Sequence, residues 1–230
     1  MKHIIKRIHF TLRKALYRNK KSNLTYKDDW QATNYNRIAV INALASKMSY
    51  NSSYLEIGCQ DNLLFDAVPI LNKKGVDPER GGTHRMTSDE FFENNETQFD
   101  LIFIDGLHTI EQVSKDLENS VSKLNPGGFI VIHDLLPRNW TEQTPKPSNK
   151  VWLGDVWKLS DHIKNYPDIY SFFVVNIDHG VGVLQVKVNS SLPRIDLDEL
   201  KKLNFKDFAA LKNNLRILTF KKFLSEINLL

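Results

Sequence analysis

The chain has 230 residues, 41% of them hydrophobic and 25% charged, an ordinary balance for a globular protein with one sizeable core. A single cysteine, Cys59, excludes an internal disulfide framework, no apolar run is long enough to span a bilayer, and the N-terminus carries no signal-peptide apolar segment, so a cytoplasmic location is expected. The net charge of +4 is unevenly spread: residues 1–27 hold nine Lys and Arg and no acid, so removing those nine leaves −5 for the rest, which argues against nucleic-acid binding by the core.

The opening "MKHIIKRIHFTLRKALYRNKKS" spaces Ile4, Ile8, Leu12 and Leu16 four apart, with Ile5 and Ala15 beside them. That is one apolar stripe on a helix whose other faces are basic. The commoner use of such a stripe is packing on its own domain or on a second subunit; the other is an interfacial helix resting on anionic lipid. Residues 1–33 are therefore read as a basic arm, 34–190 as the main domain and 191–230 as a helical C-terminal extension.

From Asn34 the stretch "RIAVINALASKM" predicts a helix, and an alternation of strands and helices then begins. "YLEIGC" reads as a strand, "NLLFDAVPILN" as a helix with Pro69 near its end, and "KKGVDP" as a short strand closed by Pro78. "GGTHRM" is a connection, and "SDEFFENN" a helix with Ser88 as its N-cap. "FDLIFIDG" is a continuous apolar run, the mark of a strand covered on both faces. "IEQVSKDLENSVSKL" is a periodic helix ended by an "NPGG" turn, and "FIVIHD" is another buried strand. The polar, proline-rich first half of "LLPRNWTEQTPKPSNKVWLGDVWKLSDHI" predicts a loop over the strand ends. It assigns Trp140 to that lid, while Trp152 and Trp157 either stack on a ligand or anchor the following helix.

"IYSFFVVN" and "GVGVLQVKV" are joined only by "IDHG", which permits an antiparallel hairpin but no parallel crossover. Asp178 and His179 read as turn residues there. Beyond Leu192 the chain looks helical, with Phe205, Phe208, Leu211 and Leu215 on one side, then Phe220, Phe223, Leu224 and Ile227. So much apolar surface packs on the domain or forms a homo-oligomer contact. The predicted fold class is α/β: a doubly wound Rossmann-like sheet, mostly parallel, with an antiparallel terminal hairpin strand and helical N- and C-terminal extensions.

The ordered set "LEIGC", "GVDP", "SDEFF", "FDLIFIDGLH", "LNPGGFIVIHD" and a terminal hairpin resembles the class I S-adenosylmethionine-dependent methyltransferases. Within them it is most similar to the branch containing macrolide-sugar O-methyltransferases, over roughly Tyr54 to Val186. In ligand-binding α/β sheets the site lies at the carboxyl ends of the strands, where connections leave in opposite directions. Gly58 lets the first turn approach the cofactor closely. Gln60 and Asn62 replace the glycines usual in the family, and Asn tolerates positive φ, so the turn is expected to survive, with both amides available to the cofactor's amino-acid part. Asp77 is expected to accept the ribose hydroxyls, and Ser88 and Asp89 to meet the adenine edge, with helix capping as the rival role for the last two. Glu56, inside the first strand, either faces the cofactor ammonium or is paired structurally.

Asp105, His108, His133 and Asp134 end two buried strands and are expected to converge at one sheet edge, where carboxylates and imidazoles can hold a divalent cation such as Mg2+ or Mn2+. The resemblance implies that Asp105 and Asp134 are metal ligands and that His108 is the general base; His133 stands where family members often carry an acid, and it is included as a ligand. The implied activity is O-methylation of a sugar, glycan or glycoside hydroxyl, a small-molecule or glycan acceptor. Two further readings stay open: a non-catalytic cofactor-binding or scaffold module with a degraded glycine loop, and a nicotinamide-dependent oxidoreductase, which the terminal hairpin argues against.

Overall fold

The computed structural model describes residues 2–28, 33–187 and 193–228. The expected domain boundary at 190–191 lies outside the described residues. An N-terminal helix α1 (Lys2–Leu16) and a short 3-10 turn (Arg18–Lys20) precede α2 (Arg37–Ala45). Then follow β1 (Ser53–Ile57), α3 (Leu63–Ala67), β2 (Asn72–Val76), α4 (Ser88–Asn94), β3 (Phe99–Ile104), α5 (Ile110–Ser122) and β4 (Leu124–Ile132). After a long connection come α6 (Lys158–Lys164), β5 (Tyr170–Val175), β6 (Val181–Val186), α7 (Leu197–Lys202), α8 (Phe205–Asn214), β7 (Ile217–Leu218) and α9 (Phe220–Glu226).

The seven strands form one sheet in the order β2-β1-β3-β4-β6-β5-β7. β6 is antiparallel to both neighbours, and the other pairings are parallel. The hairpin reading therefore holds. Successive side chains on a strand point to opposite faces, and the apolar runs sort accordingly. Ile102 and Ile104 of β3 join α5, α6 and α8 in one core layer, through Val113, Leu117, Leu159 and Phe208. Leu101 and Phe103 face α2, α3 and α9, through Ile41, Leu44, Phe65 and Phe223. Helices on both faces explain why β3 is apolar without alternation.

Four local expectations change. The N-cap of α4 is Thr87, whose hydroxyl accepts from the Glu90 backbone while the Glu90 carboxylate reaches back to the Thr87 N–H; a Thr with Glu three residues on closes this box, which displaces Ser88 into the first turn. The helix from Leu63 stops at Ala67, two residues before Pro69. "NPGG" is part of β4: Phe99 pairs with Leu124 and Leu101 with Phe129, so the intervening residues bulge out of the ladder. Within the C-terminal extension, Ile217 and Leu218 add a strand to the sheet edge beside β5, where the sequence suggested only helix.

The extension packs on the domain. Phe205 and Phe208 are fully buried in the layer that contains Trp157, and Phe223 is fully buried against Phe173 on the other side. Among the described residues, no helix is long and apolar enough to cross a membrane.

Candidate active site

The order of the sheet reverses between β1 and β3, because β1 connects outward to β2 while the chain returns on the other side. Such a switch point opens a crevice at the strands' carboxyl ends. Gly58 follows β1 with φ +88°, and a Cβ there would lie 2.1 Å from the Asp105 carbonyl oxygen. Its lack of a side chain thus serves first to let the β1 and β3 ends pack against each other. Gln60 (φ 49°) and Asn62 (φ 62°) both occupy the left-handed region, so the turn keeps its path without the glycines.

Two hollows open from this turn. One, of about 410 Å3, is lined by Gly58, Gln60, Asp77, Ser88, Asp89 and Gln112 among others. The second, of about 430 Å3, runs from Gly58 and Gln60 past Glu56, Asp105, His108, His133 and Asp134 to Trp152. They share Gly58, Gln60 and Gly106. Each is in the size range of small-molecule sites. Asn62 lines neither: its Oδ1 accepts from the Gly82 N–H at 2.7 Å, so its amide is spent on the turn itself.

In the first hollow Asp77 accepts the backbone N–H groups of Gln60 (2.9 Å), Glu79 (2.8 Å) and Arg80 (2.9 Å). Burial alone would raise its pKa, but these three donors outweigh it and lower it. Asp77 thus organises the loop, with Oδ1 taken by two donors and one acceptor site left on Oδ2. Ser88 donates to Asp116 Oδ1 at 2.6 Å, and Gln112 Nε2 reaches Ser88, Asp89 and Asp116 at 3.2, 2.8 and 3.1 Å. Asp89 also pairs with Lys115 at 2.9 Å. Asp116 is buried, and its carboxyl is pushed up to about 6 by burial, with the Ser88 and Gln112 hydrogen bonds working the other way.

The four strand-end groups do converge. His108 Nε2 lies 3.3 Å from Asp105 Oδ1, and its Nδ1 3.1 Å from Asp134 Oδ2. That second approach lacks hydrogen-bond alignment, leaving a buried ring nitrogen without a hydrogen-bond partner. His133 Nδ1 is 3.1 Å from Asp105 Oδ1, and its Nε2 is 2.7 Å from the Asp178 carbonyl oxygen. A carbonyl only accepts, so Nε2 carries hydrogen, and Nδ1 faces carboxylates. Burial opposes charge on His133, but Asp105 and Asp134 outweigh it and raise its pKa well above the ordinary imidazole value. Both nitrogens of His133 are thus engaged, and the three side chains that offer donor atoms close to one another among the described residues are Asp105, His108 and Asp134, whereas the sequence expectation counts His133 as a ligand. Burial likewise opposes charge on His108, whose pKa Asp105 and Asp134 raise.

The two carboxyls are pushed apart. Burial works to raise Asp105, yet His133 and His108 hold it well below the carboxylate range; burial raises Asp134 to about 6 against the same two rings. Asp134 also sits at φ 65°, a conformation unusual for a residue with a side chain. Arg37, at the start of α2, lies 3.7 Å from Asp105 and donates to Asp178 at 2.9 Å, while its backbone N–H also donates to Asp178. Glu56 is buried in β1, accepts the Tyr54 hydroxyl at 2.6 Å, and is pushed up to about 7 by burial, which that hydrogen bond partly offsets. It is paired within the strand and lines the second hollow as well.

The segment after Asp134 is a packed cover. Glu142, Gln143, Thr144 and Ser148 are buried, and Arg138 holds Glu142 at 2.9 Å. Trp157 is fully buried, with its Nε1 on Gln143, which makes it an anchor. Trp140 packs half-buried against the core and lines neither hollow. Trp152 takes the covering role: it lines the second hollow and stacks on the His108 ring at 5.3 Å and 22°.

The family model described as "Methyltransferase domain" matches residues 9–135, more than half of the chain. The chain belongs to that family. The methyltransferase is also similar to solved structures at low identity. MycE methyltransferase from the mycinamycin biosynthetic pathway, in complex with Mg and SAH, shares 18% identity (TM-score 0.44), with 68% of this chain and 51% of that one covered. The O-methyltransferase from Bacillus cereus, in complex with SAH, shares 12% (TM-score 0.48; 79% and 90% covered). The O-methyltransferase TomG from Streptomyces achromogenes, in complex with SAM, shares 13% (TM-score 0.46; 66% and 78%). The chain thus spans about half the length of MycE. No curated protein matches.

Two joined hollows at the switch point suit a ligand with a nucleoside half and an amino-acid half. Among the described residues, Asp105, His108 and Asp134 each offer a donor atom within 4.8 Å of the others, and the unaligned His108 nitrogen leaves donor capacity there. The two carboxylates fit a divalent cation, with the His108 ring beside them. Three residues escape a reading of local sequence: Arg37 and Asp178, which meet across 141 positions, and Trp152's contact with His108. Asp116 did carry a signal, since an acid three residues after Val113 and one before Leu117 falls on the buried stripe of α5.

Proposed function

We propose that this methyltransferase methylates a hydroxyl oxygen of a sugar or glycoside, with the cofactor's adenosine in the hollow of Asp77, Ser88 and Asp89 and its amino-acid end beside Gln60 and Glu56. Bound S-adenosylmethionine supplies an electrophilic methyl carbon, whose bond to sulfur breaks as the acceptor oxygen attacks. The Gly58 turn and the Gly106 backbone fix the path between the hollows, so that the acceptor is aligned in the second one; alignment of this kind supplies much of the rate gain. His108 takes the acceptor proton on its ring. Trp152, stacked on that ring, holds its plane and closes the pocket above it.

Asp105 and Asp134 are the residues that would hold a divalent cation. Such a cation lowers the pKa of an acceptor hydroxyl. Arg37 and His133, whose pKa Asp105 and Asp134 raise, offset part of the carboxylate charge, so cation affinity is expected to be modest. The observation that carries the proposal is His108 held between Asp105 and Asp134 at 3.3 and 3.1 Å, beside the joined hollows. Incubation with methyl-labelled S-adenosylmethionine and a panel of sugars, nucleotide sugars and glycosides, with and without Mg2+ or Mn2+, tests it. The expected product carries label in a base-stable methyl ether, in higher yield with the cation. Label on nitrogen or carbon contradicts the proposal.

A further inference from the structure

The apolar stripe of α1 is turned away from the rest of the protein. Phe10, Arg13 and Tyr17 are half-buried, and Arg13 Nη1 donates to the Pro147 carbonyl at 2.9 Å. Ile8, Leu12 and Leu16 are 54%, 59% and 76% exposed. At 100° per residue these three lie roughly 130° around the helix from Phe10 and Arg13. The helix therefore docks through one aromatic ring and a guanidinium and leaves its most apolar side in water. The first members of the stripe, Ile4 and Ile5, lie outside the described side chains. The commoner expectation from the sequence is packing on the chain's own domain or on a second subunit, and Ile8, Leu12 and Leu16 do not pack on the chain's own domain.

We infer that α1 is a peripheral membrane-docking helix that seats the enzyme on an anionic bilayer surface. Three observations select this occupant. Lys6, Arg7 and Lys14 are exposed on the sides of the helix away from the stripe, and the stretch 1–27 contains no acid at all. An apolar strip on one side of a helix whose polar side is basic and free of acids matches an interface where acyl chains lie beneath anionic headgroups. A nucleic-acid backbone offers nothing to the leucines, and a second copy packed through the stripe is distinguished from a bilayer by the experiment below. The positive charge also continues past the helix, where Lys20 and Lys21 line a shallow hollow of about 260 Å3 together with Lys202 and Lys206 of the C-terminal extension.

The docking helix is tied to the catalytic side of the molecule. Pro147, which receives the Arg13 hydrogen bond, belongs to the same cover segment as Trp152. Further along the arm, past the helix, the Tyr26 N–H donates to the Arg138 carbonyl at 2.8 Å, and Thr25 bridges to Asn139. A helix lying on a bilayer thus holds the segment that closes the acceptor pocket next to that bilayer, an arrangement suited to acceptors carried on a lipid.

Sedimentation of the full-length protein with vesicles tests the inference. Vesicles of phosphatidylcholine alone are compared with vesicles that also contain phosphatidylglycerol. The expected result is partition onto the anionic vesicles, weakened by added salt and by about tenfold or more in the double variant Leu12→Glu, Leu16→Glu. Binding of S-adenosylhomocysteine by that variant should stay at the wild-type level, which shows that it is folded and separates this inference from the catalytic reading. Equal partition of wild type and variant overturns the inference. So does wild-type protein that ignores anionic vesicles, or a wild-type dimer that the double variant turns into a monomer.

Discussion

Burial of Glu56 behind the Tyr54 hydroxyl keeps a proton on its carboxyl up to about pH 7, whereas in the unfolded chain it ionises near 4.5. Between those values the unfolded state has lost a proton that the folded state retains. Stability contributed at this site therefore falls as pH rises across the window, by about 3 kcal/mol in all. Glu56→Gln keeps an acceptor for Tyr54 and removes the titration. The advantage of the variant in unfolding free energy should grow by about that amount between pH 4.5 and 7.5, measured by denaturant titration; a constant difference contradicts the assignment. At His108 the expectation concerns rate. His108→Ala should lower turnover by about 10²- to 10⁴-fold, the range for loss of a general base, and leave S-adenosylhomocysteine affinity unchanged. Cation affinity should also change little; a large loss would make His108 a ligand instead. The pairing of His108 with two carboxylates was legible from the strand ends "FIDGLH" and "VIHD". The engagement of His133 on both nitrogens was not, because its second partner is a backbone carbonyl in a distant hairpin turn.

The elements around the site hold one another by close backbone approach. Gly154 sits at φ +65°, and a Cβ there would stand 1.6 Å from the His108 carbonyl oxygen. The next residue, Asp155, accepts the Ile110 N–H at 2.9 Å and pairs with the buried Lys158 at 3.0 Å, so the cover segment also caps the start of α5. Gly154→Ala must displace one of these strands of chain. It should cost about 1–3 kcal/mol of stability and reduce turnover by an order of magnitude or more, with little change in cofactor affinity. Wild-type turnover in that variant would show that the cover does not position His108. The strands and helices that build this region announced themselves, since strands covered on both faces leave unbroken apolar runs. The short strand Ile217–Leu218 did not, because two residues become a strand only by pairing with β5. "NPGG" was misplaced for a related reason: its turn residues shape a bulge within the ladder when flanking residues pair on both sides.

At the scale of the whole molecule, the C-terminal helices complete the core. Phe208 is fully buried against Trp157 and Phe205, and Phe208→Ala should cost about 3–5 kcal/mol, seen as a lower unfolding midpoint with near-UV signals of the tryptophan altered. The sequence indicated that this surface had to be covered, while its partner, the Trp157 ring at the entry to α6, emerged only from the packing. The order of strands and the reversal between β1 and β3 set every feature of the proposed chemistry, because they bring the Gly58 turn, the Asp77 loop and the two strand ends to one crevice. Calorimetric titration of the full-length protein with S-adenosylhomocysteine tests that claim most directly. The account predicts saturable binding of one molecule per chain and none of NADH; absence of S-adenosylhomocysteine binding, or binding of NADH in its place, would contradict it.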